Sequence, residues 1–261
     1  MSSTAEGTVG LIEVADGVRR MTAPNPGRLT AEGTHSFVLG RGAVVVVDPG
    51  PAANDGHVAR LIAALGRERI VGLAVTHRHH DHVGAVAEMA AATGAEVLSP
   101  HQLSDSGIET IPTPGHTSDH VAFRYGEALL TGDHVFEQTS TLIDWPDGTL
   151  LAFLDSTTAL RRLADLSFHP AHGPSLSDPA GRLDWLIRHR EDRNRAILDV
   201  LQRAPTAIDG IFDVVYADAP KALRAAALGN LGAHLDYLEG EGRIASTGHG
   251  DGREFLICPS D

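Results

Sequence analysis

Apolar positions fall into two alternating kinds of segment as far as about Pro179. Short runs rich in branched residues, Ser36 to Val38, Ala43 to Val47, Val71 to Val75, Ile108 to Ile111, Val121 to Tyr125 and Ala128 to Leu130, have the length and make-up of buried strands. Between them, His57 to Leu65, Val83 to Ala92 and Leu150 to Leu166 carry apolar residues at helical spacing, and Glu96 to Leu98 reads as a further short strand. From Gly7 onward, strands alternating with helices predict an α/β domain of mixed sheets flanked by helices.

Beyond Asp178 the pattern changes. Arg182 to Gln202 is one charged helical stretch in which Leu183, Leu186, Ile187, Ile197, Leu198 and Leu201 share a face. Two further helices are expected over Ala207 to Tyr216 and Pro220 to Glu239, the second carrying Leu223, Ala227, Leu231, Leu235 and Leu238 until Gly240 breaks it. Arg243 to Ser246 and Glu254 to Ile257 frame a turn containing Gly248, Gly250 and Gly252, which predicts a two-stranded hairpin. Helices followed by a hairpin give a winged-helix shape. The expected organisation is a sandwich domain over 1–180, a connector helix over 181–203 and a small winged-helix-like domain over 204–261.

The length of 261 residues is enough for a sizeable core. A formal net charge of −13 opposes general binding to nucleic acid, which rests largely on phosphate neutralisation. The single cysteine, Cys258, excludes an internal disulfide. No apolar run approaches the ~20 residues needed to span a bilayer. Met1 to Glu13 lacks the basic start and apolar centre of a signal peptide, so a cytoplasmic protein is expected.

The chemistry is concentrated after Val75. In Thr76-His77-Arg78-His79-His80-Asp81-His82, five side chains able to bind a metal occupy six positions. That crowding is costly unless a cation sits in it, and imidazole with carboxylate suits a borderline metal such as Zn²⁺. A plain histidine-rich surface loop would need no ligands elsewhere. Here three later loops supply them: His116 in Thr113-Pro114-Gly115-His116, Asp133 in Thr131-Gly132-Asp133-His134, and His172 in His169-Pro170-Ala171-His172-Gly173-Pro174. Each follows a predicted strand or helix, where loops aim side chains at a common point.

With these residues the chain resembles the metallo-β-lactamase superfamily, whose His-x-His-x-Asp-His signature is matched by His77, His79, Asp81 and His82. The family's later ligand positions are matched by His116, Asp133 and His172. The resemblance implies an αββα sandwich and two Zn²⁺ per chain, with iron or manganese as substitutes. It puts His77, His79 and His116 on one metal and Asp81, His82 and His172 on the other, with Asp133 bridging. Asp81 and Asp133 are then the catalytic carboxylates, and a bridging water whose pKa falls towards ~7 supplies the nucleophilic hydroxide. Aspartate at the bridging position is similar to the glyoxalase, thioesterase and nuclease branches, not to the cysteine-using lactamase branch. Asp48 looks like the family's aspartate beside the metal loop, an acceptor that orients a ligand imidazole. His80, His120 and His134 are assigned packing or supporting roles, and His35, His57, His101, His169, His189, His234 and His249 are expected at the surface.

The C-terminal elements narrow the resemblance to the β-lactamase-like protein 2 branch. Asn25-Pro26-Gly27 and Gly33-Thr34 are similar to that branch's patterns, although His35 and Ser36 stand where it has Asn and Thr. Thr141, Pro146-Asp147-Gly148, His189 to Arg193 and Leu235 to Ile244 are similar as well. Members hydrolyse single-stranded RNA or release acyl chains from carrier proteins. Charge favours a small or carrier-bound ester or thioester as substrate. A single-strand endoribonuclease is the alternative, a nucleic-acid-binding regulator a third reading, and physiological β-lactamase activity is not expected. Arg188, His189, Arg190, Arg193 and Arg195, interrupted by Asp184, Glu191, Asp192 and Asp199, read as a solvated, ion-paired helix. The winged helix is expected to pack over the active-site rim or to mediate a homodimer.

Overall fold

The branched-residue runs become the inner strands of two sheets. In the computed structural model, which describes residues 10–248 and 253–258, a five-stranded sheet is formed by β1 (Ile12–Ala15), β2 (Val18–Thr22), β3 (His35–Arg41), β4 (Ala43–Val47) and β5 (Arg69–Ala74) in that order. Its strands are antiparallel except for the parallel pair β4 and β5. A second sheet orders β6 (Ile108–Pro112), β7 (Val121–Tyr125), β8 (Ala128–Gly132) and β9 (Ser167–Pro170), with β8 and β9 parallel. Gly7, His249, Gly250 and Gly252 lie outside the described residues.

Strand β4 explains its own composition. Side chains alternate across a strand, so Val44 and Val46 pack with Val58, Leu61 and Leu65 of α1 (His57–Leu65) and Met89 of α3 (Val86–Thr93). Val45 and Val47 face the other way, with Phe37 and Leu39 of β3, Phe123 of β7 and Leu130 of β8. A strand covered on both faces must be apolar at every position, which is why it reads as an unbroken valine run.

Cα proximity divides the chain into two compact units. One holds the chain to Thr113, Asp119–Thr139 and Arg162–Pro179. The other holds Pro114–Ser118, Ser140–Arg161 and the chain from Ala180. This second unit contains α5 (Leu150–Leu160), α6 (Pro179–Leu201), α7 (Ile208–Val215) and α8 (Arg224–Gly240), with a sheet ordered β10 (Thr206–Ala207), β12 (Glu254–Ile257), β11 (Ile244–Thr247). Ile197 and Leu201 of α6, Phe212 of α7, Leu231, Leu235 and Leu238 of α8, and Phe255 of β12 form its core. Helices α7 and α8 with the β11/β12 hairpin make the winged-helix arrangement, and β10 adds a third strand.

Several elements depart from the sequence expectation. Strands β1 and β2 carry little apolar signal, since only Val18 and Met21 of β2 are buried. Glu96 to Leu98 forms a single bridge, Leu73 to Val97, in place of a strand. The expected helix over Val83 to Ala92 is two, α2 (His80–Val83) and α3, separated at Gly84, where a Cβ would sit 2.4 Å from the His80 carbonyl oxygen. The expected helix to Leu166 stops as α5 at Leu160, followed by a 3₁₀ turn over Arg161–Leu163 and then β9. Helix α4 (Pro100–Asp105) was not expected; a capping box starts it, in which Ser99 and Gln102 satisfy each other's backbone N–H.

Candidate metal centre

The predicted ligand residues follow strand ends. Two parallel pairs, β4 with β5 and β8 with β9, each bring two carboxyl ends side by side, and loops leaving such ends can converge. His77, His79, Asp81 and His82 follow β5, Asp133 follows β8, and His172 follows β9. The seven fall into two groups whose ligand atoms lie within 4.8 Å of one another: His77, His79, His116 and Asp133 in one, Asp81, His82 and His172 in the other. Asp133 reaches the second group too, its Oδ1 lying 3.4 Å from both His82 Nε2 and His172 Nε2. Asp81 Oδ2 is 3.3 Å from His172 Nε2 and 3.6 Å from His82 Nε2.

The far side of four of the five rings is tied to oxygen. His82 Nδ1 donates to Asp48 Oδ2 at 2.9 Å, His172 Nδ1 to the Gly33 carbonyl at 3.2 Å, and His116 Nδ1 to the Leu142 carbonyl at 2.6 Å. His77 Nδ1 lies 3.0 Å from Thr76 Oγ1. An acceptor at Nδ1 fixes the tautomer and leaves the Nε2 lone pair for a cation, as metal-binding imidazoles require. Asp48 anchors this shell: its Oδ1 accepts the Thr76 N–H and its Oδ2 the Thr76 hydroxyl, both at 2.8 Å. It does so with φ at +50°, outside the usual region for a non-glycine residue. Gly132 permits the close approach of Asp133, since a Cβ there would meet His120 Nε2 at 2.7 Å and Thr76 Cβ at 2.9 Å.

Electrostatics test whether a cation fits. Burial alone would raise the Asp133 carboxyl, yet the imidazoles of His172 and His82 hold it well below the carboxylate range. Burial would lower His172, but Asp133 and Asp81 push it up to about 10, and Asp133 and Asp48 likewise raise His82. Without a metal, protons hold these buried carboxylates and imidazoles together. Among the described residues the buried His82 Nε2 makes no hydrogen bond. An inward nitrogen with no hydrogen bond, beside converging carboxylates, suits a divalent ion in the proton's place.

Other histidines divide differently from the sequence expectation. His80 is exposed. His120 is buried between the Thr113 hydroxyl, 2.8 Å from its Nδ1, and the Asp133 N–H, which donates to its Nε2 at 3.1 Å. His134 is also fully buried. His35, His57, His169 and His234 are not surface residues as expected; all are at most 3% exposed. Each replaces water with a fixed partner: Thr22 and Gly173 for His35, Ser36 for His57, Ser175 for His169, and Asn194 for His234. His189 is half-buried and stacked on Trp185, whereas His101 is exposed. With His35 and Ser36 buried on these partners, that segment reaches the centre through the Gly33 carbonyl and through the Thr34 hydroxyl, which donates to Asp81 Oδ2 at 3.2 Å. The backbone acceptors Gly33 and Leu142 left no trace in the sequence, because any residue carries a carbonyl.

Comparison with known proteins agrees with this architecture. Residues 29–108 match the model of the metallo-beta-lactamase superfamily, and 208–253 that of the beta-lactamase associated winged helix domain. The Caenorhabditis elegans beta-lactamase-like protein 2 homolog is 30% identical over 269 residues, covering 89% of this chain and 87% of that protein. A beta-lactamase domain protein from Burkholderia ambifaria superposes with a TM-score of 0.81 at 18% identity, covering 98% of this chain and 96% of that one. The protein TTHA1623, solved in a di-iron-bound form, superposes with a TM-score of 0.50 at 24% identity over 61% of this chain and 94% of its own.

Proposed function

Since the chain belongs to the metallo-β-lactamase superfamily and carries that superfamily's associated winged helix, we propose that it is a binuclear metal-dependent hydrolase of a small or carrier-bound ester or thioester. The observation that carries the two-metal reading is Asp133, grouped with one ligand set while its Oδ1 stands 3.4 Å from two imidazoles of the other. His77, His79 and His116 would hold one cation and Asp81, His82 and His172 the second, with Asp133 shared. Two such ions supply a water acidic enough to act as nucleophile near neutral pH and a Lewis acid for the substrate oxygen.

The protein's own part is positional. Asp48, Gly33 and Leu142 fix the rings of His82, His172 and His116, so the nitrogen lone pairs are oriented before any cation arrives. Asp81 and Asp133 lend negative charge that keeps the ligand set compatible with divalent ions, and the Thr34 hydroxyl holds the Asp81 carboxylate in place. The mixture of imidazole and carboxylate suits zinc first and admits iron or manganese. A net charge of −13 supports a substrate other than a polyanion.

A hydrolysis panel of acyl thioesters, simple esters, phosphodiesters, single-stranded RNA and lactams tests the reading, with metal content measured by elemental analysis. About two metals per chain with turnover of thioesters or esters is expected. Asp133→Ala should abolish that turnover while the far-ultraviolet circular dichroism stays unchanged. Cleavage confined to RNA would replace the thioester reading, and full activity in metal-free protein would end the metal mechanism.

A further inference from the structure

We propose that Arg190 of α6 and Asn230 of α8 are positioning residues for His116, so that the C-terminal helices set the geometry of a metal ligand. This rests on the metal-centre reading above. The link runs through one backbone carbonyl. His116 Nδ1 donates to the Leu142 oxygen at 2.6 Å, and both neighbours of Leu142 are held by buried side chains. Arg190 Nη2 donates to the Thr141 carbonyl, and the Ile143 N–H donates to Asn230 Oδ1 at 3.0 Å. Arg190 Nη1 lies 3.5 Å from that same Asn230 oxygen, joining the two clamps.

The surrounding contacts act on the same stretch of chain. The Asp144 N–H donates back to the His116 carbonyl at 2.9 Å. Gly148 passes so near that a Cβ would lie 2.3 Å from the same oxygen. Further along, Trp145 Nε1 donates to Asp236 Oδ2 on α8 at 2.6 Å, and the Trp145 ring covers Gly232, where a Cβ would come within 2.9 Å of it. Thus α8 offers small residues and acceptors to the loop that carries Leu142.

Arg190 is the costly part of this arrangement. It is 2% exposed, has no carboxylate ion partner among the described residues, and burial pulls its pKa down to about 10. A buried cation without a counter-charge is expensive, and an apolar side chain of similar volume would commonly serve packing better. Its guanidinium lies 5.0 Å from the centre of the Phe153 ring; Nη2 and Nη1 reach Thr141 and Asn230, while Nε makes no hydrogen bond among the described residues. The gain that offsets this cost is the fixed Leu142 carbonyl, and hence the tautomer and direction of His116.

Zinc retention in the full-length chain tests this, with a chromophoric chelator as competitor and elemental analysis for stoichiometry. Asn230→Leu and Arg190→Met should release one of the two zinc ions about 10–100-fold more readily than wild type while the other is held unchanged. Asn230→Asp keeps the acceptor for Ile143 and gives Arg190 a carboxylate, so it should retain both as wild type does. Should Asn230→Leu fail to fold, Asn230→Ser makes the same comparison. A wild-type chain holding two zinc ions beside folded Asn230 and Arg190 variants that hold both equally well overturns this inference alone, as does an Asn230→Asp variant that loses zinc as readily as Asn230→Leu. A wild-type chain that takes up no zinc overturns the metal-centre reading and this inference with it.

Discussion

At the scale of single residues, this chain uses histidine for two opposite purposes. Imidazoles beside Asp81, Asp133 and Asp48 are held by charge, whereas those in the packed interior are held neutral by the lack of it. His57 is the clearest of the second kind: 2% exposed, bonded to Ser36 Oγ at 2.9 Å, and lowered by burial to about 4. His234, bonded to Asn194, is likewise lowered by burial. Unfolded, such residues titrate near ~6.5, so between that value and the folded pKa the unfolded chain binds more protons. Stability from His57 is therefore complete above ~6.5 and falls by up to about 1.4 kcal/mol per pH unit on acidification towards 4, and that from His234 falls in the same direction. Denaturant midpoints measured from pH 7 to 5 should decline, and His57→Gln should decline less steeply; parallel slopes would contradict the neutral assignment.

At the scale of elements, the site depends on which strand ends coincide. Pairing Val47 with Ala74 and Gly132 with Pro170 sets the start of the Asp48, His77, Asp133 and His172 loops. The valine run and the helical spacing of α1 were legible because burial on both faces or on one stripe leaves a periodic trace. Strand β1 at the sheet edge and β2 beside it bury too little to leave one, and β9 was hidden because His169 and Pro170 read as turn residues. In the second unit, Leu231 is fully buried in the core that joins α6, α7, α8 and the wing. Leu231→Ala should cost about 2–5 kcal/mol, read as a lower denaturation midpoint. A shift within 0.5 kcal/mol, the range of ordinary surface changes, would deny α8 its central place.

At the scale of the whole molecule, the question is where its charge goes. Of the arginines clustered on α6, Arg190 is buried, Arg193 donates to the Val215 carbonyl and lies 4.2 Å from the Tyr216 ring centre, and Arg195 pairs with Asp192 at 2.8 Å. Arg224 on α8 pairs with Asp209 and Asp213. These cations are engaged within the unit and the net charge is −13. We therefore expect weak binding of single-stranded RNA and duplex DNA with little dependence on salt. Filter binding that is tight and falls steeply from 50 to 200 mM salt, the sign of released counter-ions, would revive the nuclease or regulator reading. Among the described residues no helix is long and apolar enough to cross a membrane.

The sequence by itself determined the periodic core, the inner strands and the longer helices, the winged-helix elements and the seven candidate ligands, because apolar periodicity and ligand chemistry are properties of side-chain type. Asp48 as an imidazole acceptor was legible through the family resemblance. Tertiary structure alone decided what depends on distance: that Asp133 reaches both ligand groups, that His35, His57, His169 and His234 are buried, and that Arg190 is an interior cation and not part of a solvated face. It also decided which backbone carbonyls, at Gly33 and Leu142, orient His172 and His116. Every residue carries that oxygen, so only the folding of distant segments onto one another gives a particular one a role.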